Sequence, residues 1–485
     1  MGMIKTAAKG VVWTTMSTCV RSIVSLLQVA ILTRFLDKTD FGIVAIATLF
    51  IGFTNIFLDL GLSVGIMHKQ DTTPKQYSSL FWINIFCGVS LTAILVISSP
   101  LIARYYNEPS LTKVLALLSF SILFSSLGSQ HRTVQQKKMR FKFISIVEII
   151  TSVSTLILAV LLAVNGFGIY SLVYSTLFNI FFSNITFLIY GILKDRNISF
   201  HFCLNDTYPF LKIGIYSLGT QILDYFSREI DIIIISSTLG KDILGVYSLC
   251  KKLIMAVYNA VNPILMKVMT PILASIQKDK SKVQMVYYNI VHSLAFINYP
   301  LYIIISIFSF AILNVLYGPT YTDAYPILSL LALYYGFLTT GSPVGALQTA
   351  LGRTDTGFYW TICRILIYFI TVSIGTLYNI ETMLFLLIIV NILIGPLSWT
   401  ITIKPLLQGK FWEYFRLRLL PYLLAITIAI PFFIVIMGRS NIAYCITLGM
   451  LYLLIYVVAV LLLYKNTYFV NLAKNYFLKR FISAK

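Results

Sequence analysis

The feature that most constrains this chain is its rhythm. Long apolar runs recur from near the first residue to beyond residue 460, with only short polar breaks between them. They lie near 11–36, 41–67, 78–103, 111–130, 143–164, 167–193, 209–239, 243–271, 285–316, 325–350, 357–378, 382–403, 418–437 and 441–464. A helix needs about 20 apolar residues to cross the hydrocarbon of a bilayer, where every backbone N–H and C=O must be paired within the segment. At 485 residues and 58 % hydrophobic, the chain has material for roughly fourteen such helices and none left for a large soluble domain. Charged residues are only 11 %, against roughly 25 % in soluble domains, which excludes a soluble enzyme and a disordered chain. The spacing predicts an all-α polytopic membrane protein.

The net charge of +20 has a simple source in this frame. Lys and Arg collect in alternate breaks, among them Lys69 and Lys75, Arg132 to Lys142, Lys278 to Lys282, and Lys404 to Arg418. The opposite breaks carry few, such as Arg34, Lys38, Arg104, Lys241 and Arg439. By the positive-inside rule the basic side is cytoplasmic, which requires an even number of spans with both termini in the cytoplasm. No nucleic-acid partner is needed to explain the charge. The tail Phe469–Lys485 alternates aromatic and basic residues and reads as a segment lying on an anionic leaflet.

Two pairs of stretches repeat at similar offsets. Leu36-Asp37-Lys38 with Gly42 is similar to Leu239-Gly240-Lys241 with Gly245, and Tyr106-Asn107-Glu108-Pro109 to Tyr317-Gly318-Pro319. A tandem duplication of six spans accounts for both. It predicts lobes at 1–203 and 204–404, packed around a central cavity, with a two-helix appendage and basic tail at 405–485. Units with an even number of spans keep their orientation, so the lobes would be related by an axis along the membrane normal.

Polar residues enter the spans in stripes at helical spacing. Span 1 carries Thr14, Ser17, Arg21, Ser25 and Gln28; span 2 carries Thr48, Gly52, Asn55, Asp59 and Ser63. Span 5 carries Ser145, Glu148, Ser152 and Thr155; span 7 carries Ser217, Gln221, Asp224, Arg228 and Asp231; Lys251 and Lys252 follow on span 8. Ionisable groups at membrane depth cost a few kcal/mol each, so they face a bundle interior or water. Two readings stand: interhelical hydrogen bonds inside solid bundles, or a wet cavity between lobes. Arg21, Arg228, Lys251, Lys252 and Arg364 balance Asp59, Glu148, Asp224, Glu229 and Asp231, so such a cavity would not be strongly cationic. Gly341-Ser342-Pro343-Val344-Gly345 and Asn262-Pro263 are expected to interrupt spans 10 and 8. The six cysteines and four histidines show no metal-ligand spacing. No phosphate-binding loop and no catalytic constellation is legible, so neither an enzyme nor direct ATP use is expected.

Leu32-Thr33-Arg34-Phe35-Leu36 with Phe41-Gly42, Pro100-Leu101-Ile102-Ala103 running to Pro109, and Met139-Arg140-Phe141-Lys142 add a further layer. With Asp231-Ile232-Ile233-Ile234, Leu239-Gly240 and Leu244-Gly245-Val246-Tyr247-Ser248, their order and spacing resemble the multidrug/oligosaccharidyl-lipid/polysaccharide exporter superfamily. Within it they resemble the polysaccharide transporter branch, the Wzx-type flippases. The resemblance covers roughly residues 5–400. It implies a flippase in a bacterial cytoplasmic membrane, moving undecaprenyl-diphosphate-linked oligosaccharide to the outer leaflet by alternating access. Membrane lipids and a polysaccharide polymerase machinery would be its partners. By position it implies diphosphate contacts at Arg21 and at Lys251 or Lys252. Arg228, Asp59, Glu148, Asp224, Asp231, Gln28 and Gln221 are candidates from the stripes alone. No cofactor is implied; a gradient of H+ or Na+ would couple through Asp59, Glu148 or Asp224. Two rival readings stay open, an ion-coupled multidrug or metabolite antiporter on the same scaffold, and a non-transporting membrane partner of a polysaccharide assembly complex.

Overall fold

A computed structural model describes residues 2–69, 71–195, 200–436 and 442–464. The basic tail Phe469–Lys485 lies outside the described residues. Among those described, every regular element is a helix. The chain forms two compact units, Met1–Lys252 and Leu253–Lys485. The first holds α1 (Gly2–Leu32), α2 (Lys38–Asp59), α3 (Leu62–His68), α4 (Pro74–Tyr105), α5 (Pro109–Lys137), α6 (Phe141–Val164), α7 (Tyr170–Tyr190), α8 (Leu204–Thr238) and the start of α9 (Lys241–Ser275). The second holds the rest of α9, α10 (Lys280–Ile307), α11 (Ser309–Leu316), α12 (Tyr325–Thr339), α13 (Pro343–Ala350), α14 (Thr354–Thr376), α15 (Ile380–Leu393), α16 (Gly395–Ser398), α17 (Phe411–Ile436) and α18 (Ile442–Leu463).

Among the described residues, twelve helical stretches are long and apolar enough to cross a membrane. A thirteenth is the pair Ile380–Leu393 and Gly395–Ile403, bent by 49°. This is a multi-pass membrane protein. The one expected span that fails on composition is α8. Its 35 residues are ample for a crossing, but Lys212, Asp224, Arg228, Glu229 and Asp231 depress its hydropathy. The polar stripe that marks α8 in the sequence is thus also what hides it from an apolar count.

Breaks in the helices follow local chemistry. Pro74 and Pro109 open α4 and α5, where a missing N–H costs nothing. Thr73 caps α4 in a reciprocal box with Gln76. Span 2 is divided at Leu60 and Gly61, both with positive φ (45° and 69°). Asp59 then serves the next helix, accepting from the Ser63 backbone N–H at 3.3 Å and the Ser63 hydroxyl at 2.5 Å. The break expected at Gly341–Pro343 is present between α12 and α13. The one expected at Asn262-Pro263 is absent, because α9 runs through it. A proline removes a single helix hydrogen bond, and in a spanning helix neighbouring groups and local adjustment absorb that loss. Asn262 instead bonds Asn298 of α10 at 3.2 Å.

The two repeated stretches touch each other. The Gly42 Cα faces the carbonyl of Lys241, and the Gly245 Cα faces the carbonyl of Lys38. The contact is reciprocal, with each helix start resting on the other's glycine. A side chain at either glycine would run into backbone, which cannot swing away. Gly42→Ala and Gly245→Ala are each expected to cost about 1–3 kcal/mol, read as a lowered melting temperature in detergent. Gly345→Ala, which meets open space, is the control.

Beside this crossing Lys241 pairs with Glu108, at the start of α5. Burial pushes the Glu108 carboxyl up, but hydrogen bonds from Lys241 and Ser110 outweigh it and hold the group below its ordinary 4.5. A depressed carboxylate contributes stability that is complete above its unfolded value and is lost as pH falls through its folded one. Glu108→Gln should therefore lower stability by about 0.5–1 kcal/mol at pH 6. Thermal melts should show the difference from wild type vanishing as the pH drops below 4.5.

Candidate functional site

Three polar assemblies in the first unit hold most of the residues singled out by the sequence. The first is built on α1, α5 and α6. Packing of α1 against α6 brings the stripe of span 1 onto that of span 5. Glu148 of α6 sits between two arginines. Arg21 Nη1 donates to its Oε2 at 3.0 Å, and Arg132 Nη2 donates to its Oε1 at 2.7 Å. Ser17, one turn before Arg21, also donates to Oε2 at 3.0 Å. The carboxylate is largely covered (14 % exposed), while the arginine side chains stay open, at 49 % for Arg21 and 41 % for Arg132. One carboxylate against two guanidiniums leaves a local charge of +1. Each arginine commits one nitrogen to Glu148, so donors remain on both. Arg21 lies midway along the span Lys9–Leu32. A half-exposed arginine at that depth is far cheaper beside water than in lipid.

The second assembly joins α8 to α9. Lys251 Nζ donates to Asp231 Oδ1 at 2.9 Å, to Glu229 Oε2 at 3.3 Å and to the Arg228 carbonyl at 2.9 Å. The Tyr247 hydroxyl donates to the other Asp231 oxygen. Lys251 is buried, with its side chain 9 % exposed. An ammonium has three N–H donors, and these three acceptors occupy them. The local balance is one cation to two carboxylates. In this conformation Lys251 acts as the tie between two helices and has no donor left for a phosphate.

The third assembly is the open face of α8. Arg228 pairs with Asp224 at 3.7 Å, and both side chains are exposed. Glu229 and Asp231, the other acids within a turn of Arg228, turn to Lys251 instead. Gln221 bonds Ser217 at 3.2 Å on the same helix. Lys252 is exposed beside the buried Lys251. Elsewhere in the unit, Gln28 donates to Ser175 of α7 at 3.3 Å. Asp59 is absorbed by its capping bonds, with Ser63 3.2 Å from Thr133 of α5.

Arg132 is the residue that the stripes missed. The apolar run ends near residue 130, so Arg132 reads as a loop cation. In the structure α5 continues to Lys137, and Gln130, His131, Thr133 and Gln135 are all buried. The signal was present as the row Ser126, Ser129 and Thr133, which keeps helical spacing past the apolar run.

A sequence model of the family described as "Polysaccharide biosynthesis protein" matches residues 31–326, more than half of the chain. Over 432 residues the chain is 28 % identical to the teichuronic acid biosynthesis protein TuaB of Bacillus subtilis (strain 168), covering 88 % of each. It is 23 % identical over 454 residues to the lipopolysaccharide biosynthesis protein WzxC of Escherichia coli (strain K12), covering 91 % of this chain and 90 % of that one. Its fold matches a solved structure of the lipid II flippase MurJ in an inward closed conformation, with a TM-score of 0.74 at 16 % identity. That match covers 93 % of this chain and 98 % of that one. The motifs that resembled polysaccharide exporters and the all-helical fold agree with these likenesses, and the chain belongs to the polysaccharide biosynthesis protein family.

Proposed function

We propose that this protein is a flippase for undecaprenyl-diphosphate-linked oligosaccharide, the repeat unit of a surface polysaccharide. It moves the lipid from the cytoplasmic to the outer leaflet of a bacterial cytoplasmic membrane, with both termini in the cytoplasm. The observation that carries this reading is likeness along nearly the whole chain, to curated polysaccharide biosynthesis proteins by sequence and to a lipid flippase by fold. Residues 1–203 and 204–404 act as the two lobes of alternating access, and 405–485 as an appendage.

The diphosphate is held by Arg21 and Arg132. Arginine meets phosphate through paired parallel hydrogen bonds, and these two have open donors and an excess positive charge. Glu148 keeps the pair in place when no substrate is bound and yields as phosphate oxygens take over the guanidiniums. Arg228 and Lys252 offer further exposed positive charge to the glycan-phosphate head. Coupling to H+ or Na+ runs through Asp224 or Glu148, the two candidate acids that are exposed or have half-exposed partners. Bond chemistry is left to other proteins, among them the polymerase that receives the flipped unit.

Deletion of the gene tests the reading in cells. Surface polysaccharide should disappear while its lipid-linked repeat unit accumulates, and a plasmid copy should restore both. Continued export at the normal rate without the gene would remove the function.

A further inference from the structure

Among the described residues of the second unit is a buried cation with no acid paired to it. Arg418 lies two turns inside α17 and is only 8 % exposed. From the sequence it reads as a cytoplasmic loop residue at the start of span 13. Among the described residues no carboxylate is ion-paired with it. Its partners are all neutral. Nε donates to Thr340 Oγ1 at 2.9 Å, Nη2 to the Phe337 carbonyl at 2.7 Å, and Nη1 to the Tyr414 hydroxyl at 3.4 Å. The guanidinium also lies over the Phe337 ring, 4.3 Å from its centroid, and 5.6 Å from that of Tyr414.

Phe337 and Thr340 stand at the end of α12, where the helix stops before Gly341-Ser342-Pro343. Pro343 has no N–H to give to the Thr339 carbonyl, and its ring crowds that position. The helix therefore ends inside the protein, and its last carbonyls lose their i+4 N–H donors, the Thr340 hydroxyl bonding the Phe337 carbonyl at 2.8 Å and Ser342 N–H the Thr339 carbonyl at 3.1 Å. Gly341 N–H turns back to Leu338 in place of Phe337. Phe337, Thr339 and Thr340 are buried, so donors to this part of the break come from the protein itself. A cation is also favoured there by the negative end of the helix dipole. The break and the arginine complement each other: one leaves acceptors in the interior, and the other has no acid to satisfy it.

We infer that Arg418 is a positioning residue that fixes the elbow between α12 and α13 and makes α17 move with α12. Its bonds outside α17 go to the α12 side of the break, and none goes to α13. The first helix of the C-terminal pair is then part of the moving machinery of the second unit. Only the transport readout of this inference rests on the flippase reading.

The test compares Arg418→Met, Pro343→Ala and the double variant. Melting temperature is read in detergent. Elbow geometry is read from spin labels at Tyr325→Cys and Thr349→Cys, exposed positions on α12 and α13, with native cysteines replaced. Transport is read as leaflet transfer of an undecaprenyl-diphosphate oligosaccharide. Arg418→Met should melt roughly 5 °C lower, broaden the elbow distance distribution, and slow transfer at least tenfold. Adding Pro343→Ala restores an N–H at the break, so helix hydrogen bonds can replace the arginine. The double variant should recover its melting temperature and still fail to transfer. Recovery of transfer together with stability would make Arg418 a stabilising contact only and overturn the inference. An unchanged elbow distribution in folded Arg418→Met would overturn it as well. That distance remains decisive if wild type itself transfers nothing, an outcome that would remove the flippase reading instead.

Discussion

Replacing either Arg21 or Arg132 by alanine should weaken diphosphate binding about 10- to 100-fold. The size follows from the bond type. A hydrogen bond to a charged group contributes about 1.5–3 kcal/mol, and 1.4 kcal/mol is a factor of ten. Both side chains are half exposed, so the folded protein should tolerate their loss. Arg21→Lys keeps the charge but loses the planar fork, and should fall between wild type and Arg21→Ala. Glu148→Gln should act in the opposite direction. It withdraws the carboxylate that competes with phosphate for both arginines, so the lipid should bind tighter and leave more slowly. Binding of a fluorescent undecaprenyl diphosphate to purified protein measures all four variants. Unchanged affinity across the set would move the diphosphate to Arg228 and Lys252, two other exposed cations of the first unit.

The largest loss of stability is expected at Lys251. Lys251→Met would leave the largely covered Asp231 (13 % exposed) and the partly exposed Glu229 (28 %) without their cation. Breaking a buried ion pair from one side costs about 3–5 kcal/mol, because the stranded charge has lost its solvent as well as its partner. On thermal melts this amounts to a drop on the order of 10 °C. The triple variant Lys251→Met/Asp231→Asn/Glu229→Gln removes both charges along with the lysine and should recover most of the loss. A single variant as stable as wild type would show that water reaches the site and screens the two acids.

Much of the fold was legible in the sequence, and the reasons are local. Apolar runs of membrane length mark most spans, and Gly341-Ser342-Pro343 marks the α12–α13 break, where a glycine and a proline two residues apart weaken the helix ladder together. The division of span 2 was not legible, because Leu60 adopts a positive φ that its residue type does not announce. Pro263 misled for the opposite reason, its missing N–H being absorbed by α9. Of the site, the stripes found Arg21, Glu148 and Asp231, whose spacing places each on a polar face, while Lys251 stood beside the stripe of span 8 and was singled out by the family resemblance. They could not pair them. Arg21 and Glu148 are 127 residues apart, and only the packing of α1 on α6 joins them. Arg132 and Arg418 were given to loops, because an apolar count stops where the helix turns polar while its backbone continues.

Leaflet transfer in a defined membrane tests the central claim most directly. Purified protein would be reconstituted in liposomes carrying a fluorescent undecaprenyl-diphosphate oligosaccharide, with H+ and Na+ gradients imposed in turn. The account predicts transfer well above protein-free liposomes, lost in the Arg21→Ala/Arg132→Ala double variant. Transfer no faster than in protein-free liposomes, under either gradient and with folded protein, would contradict it.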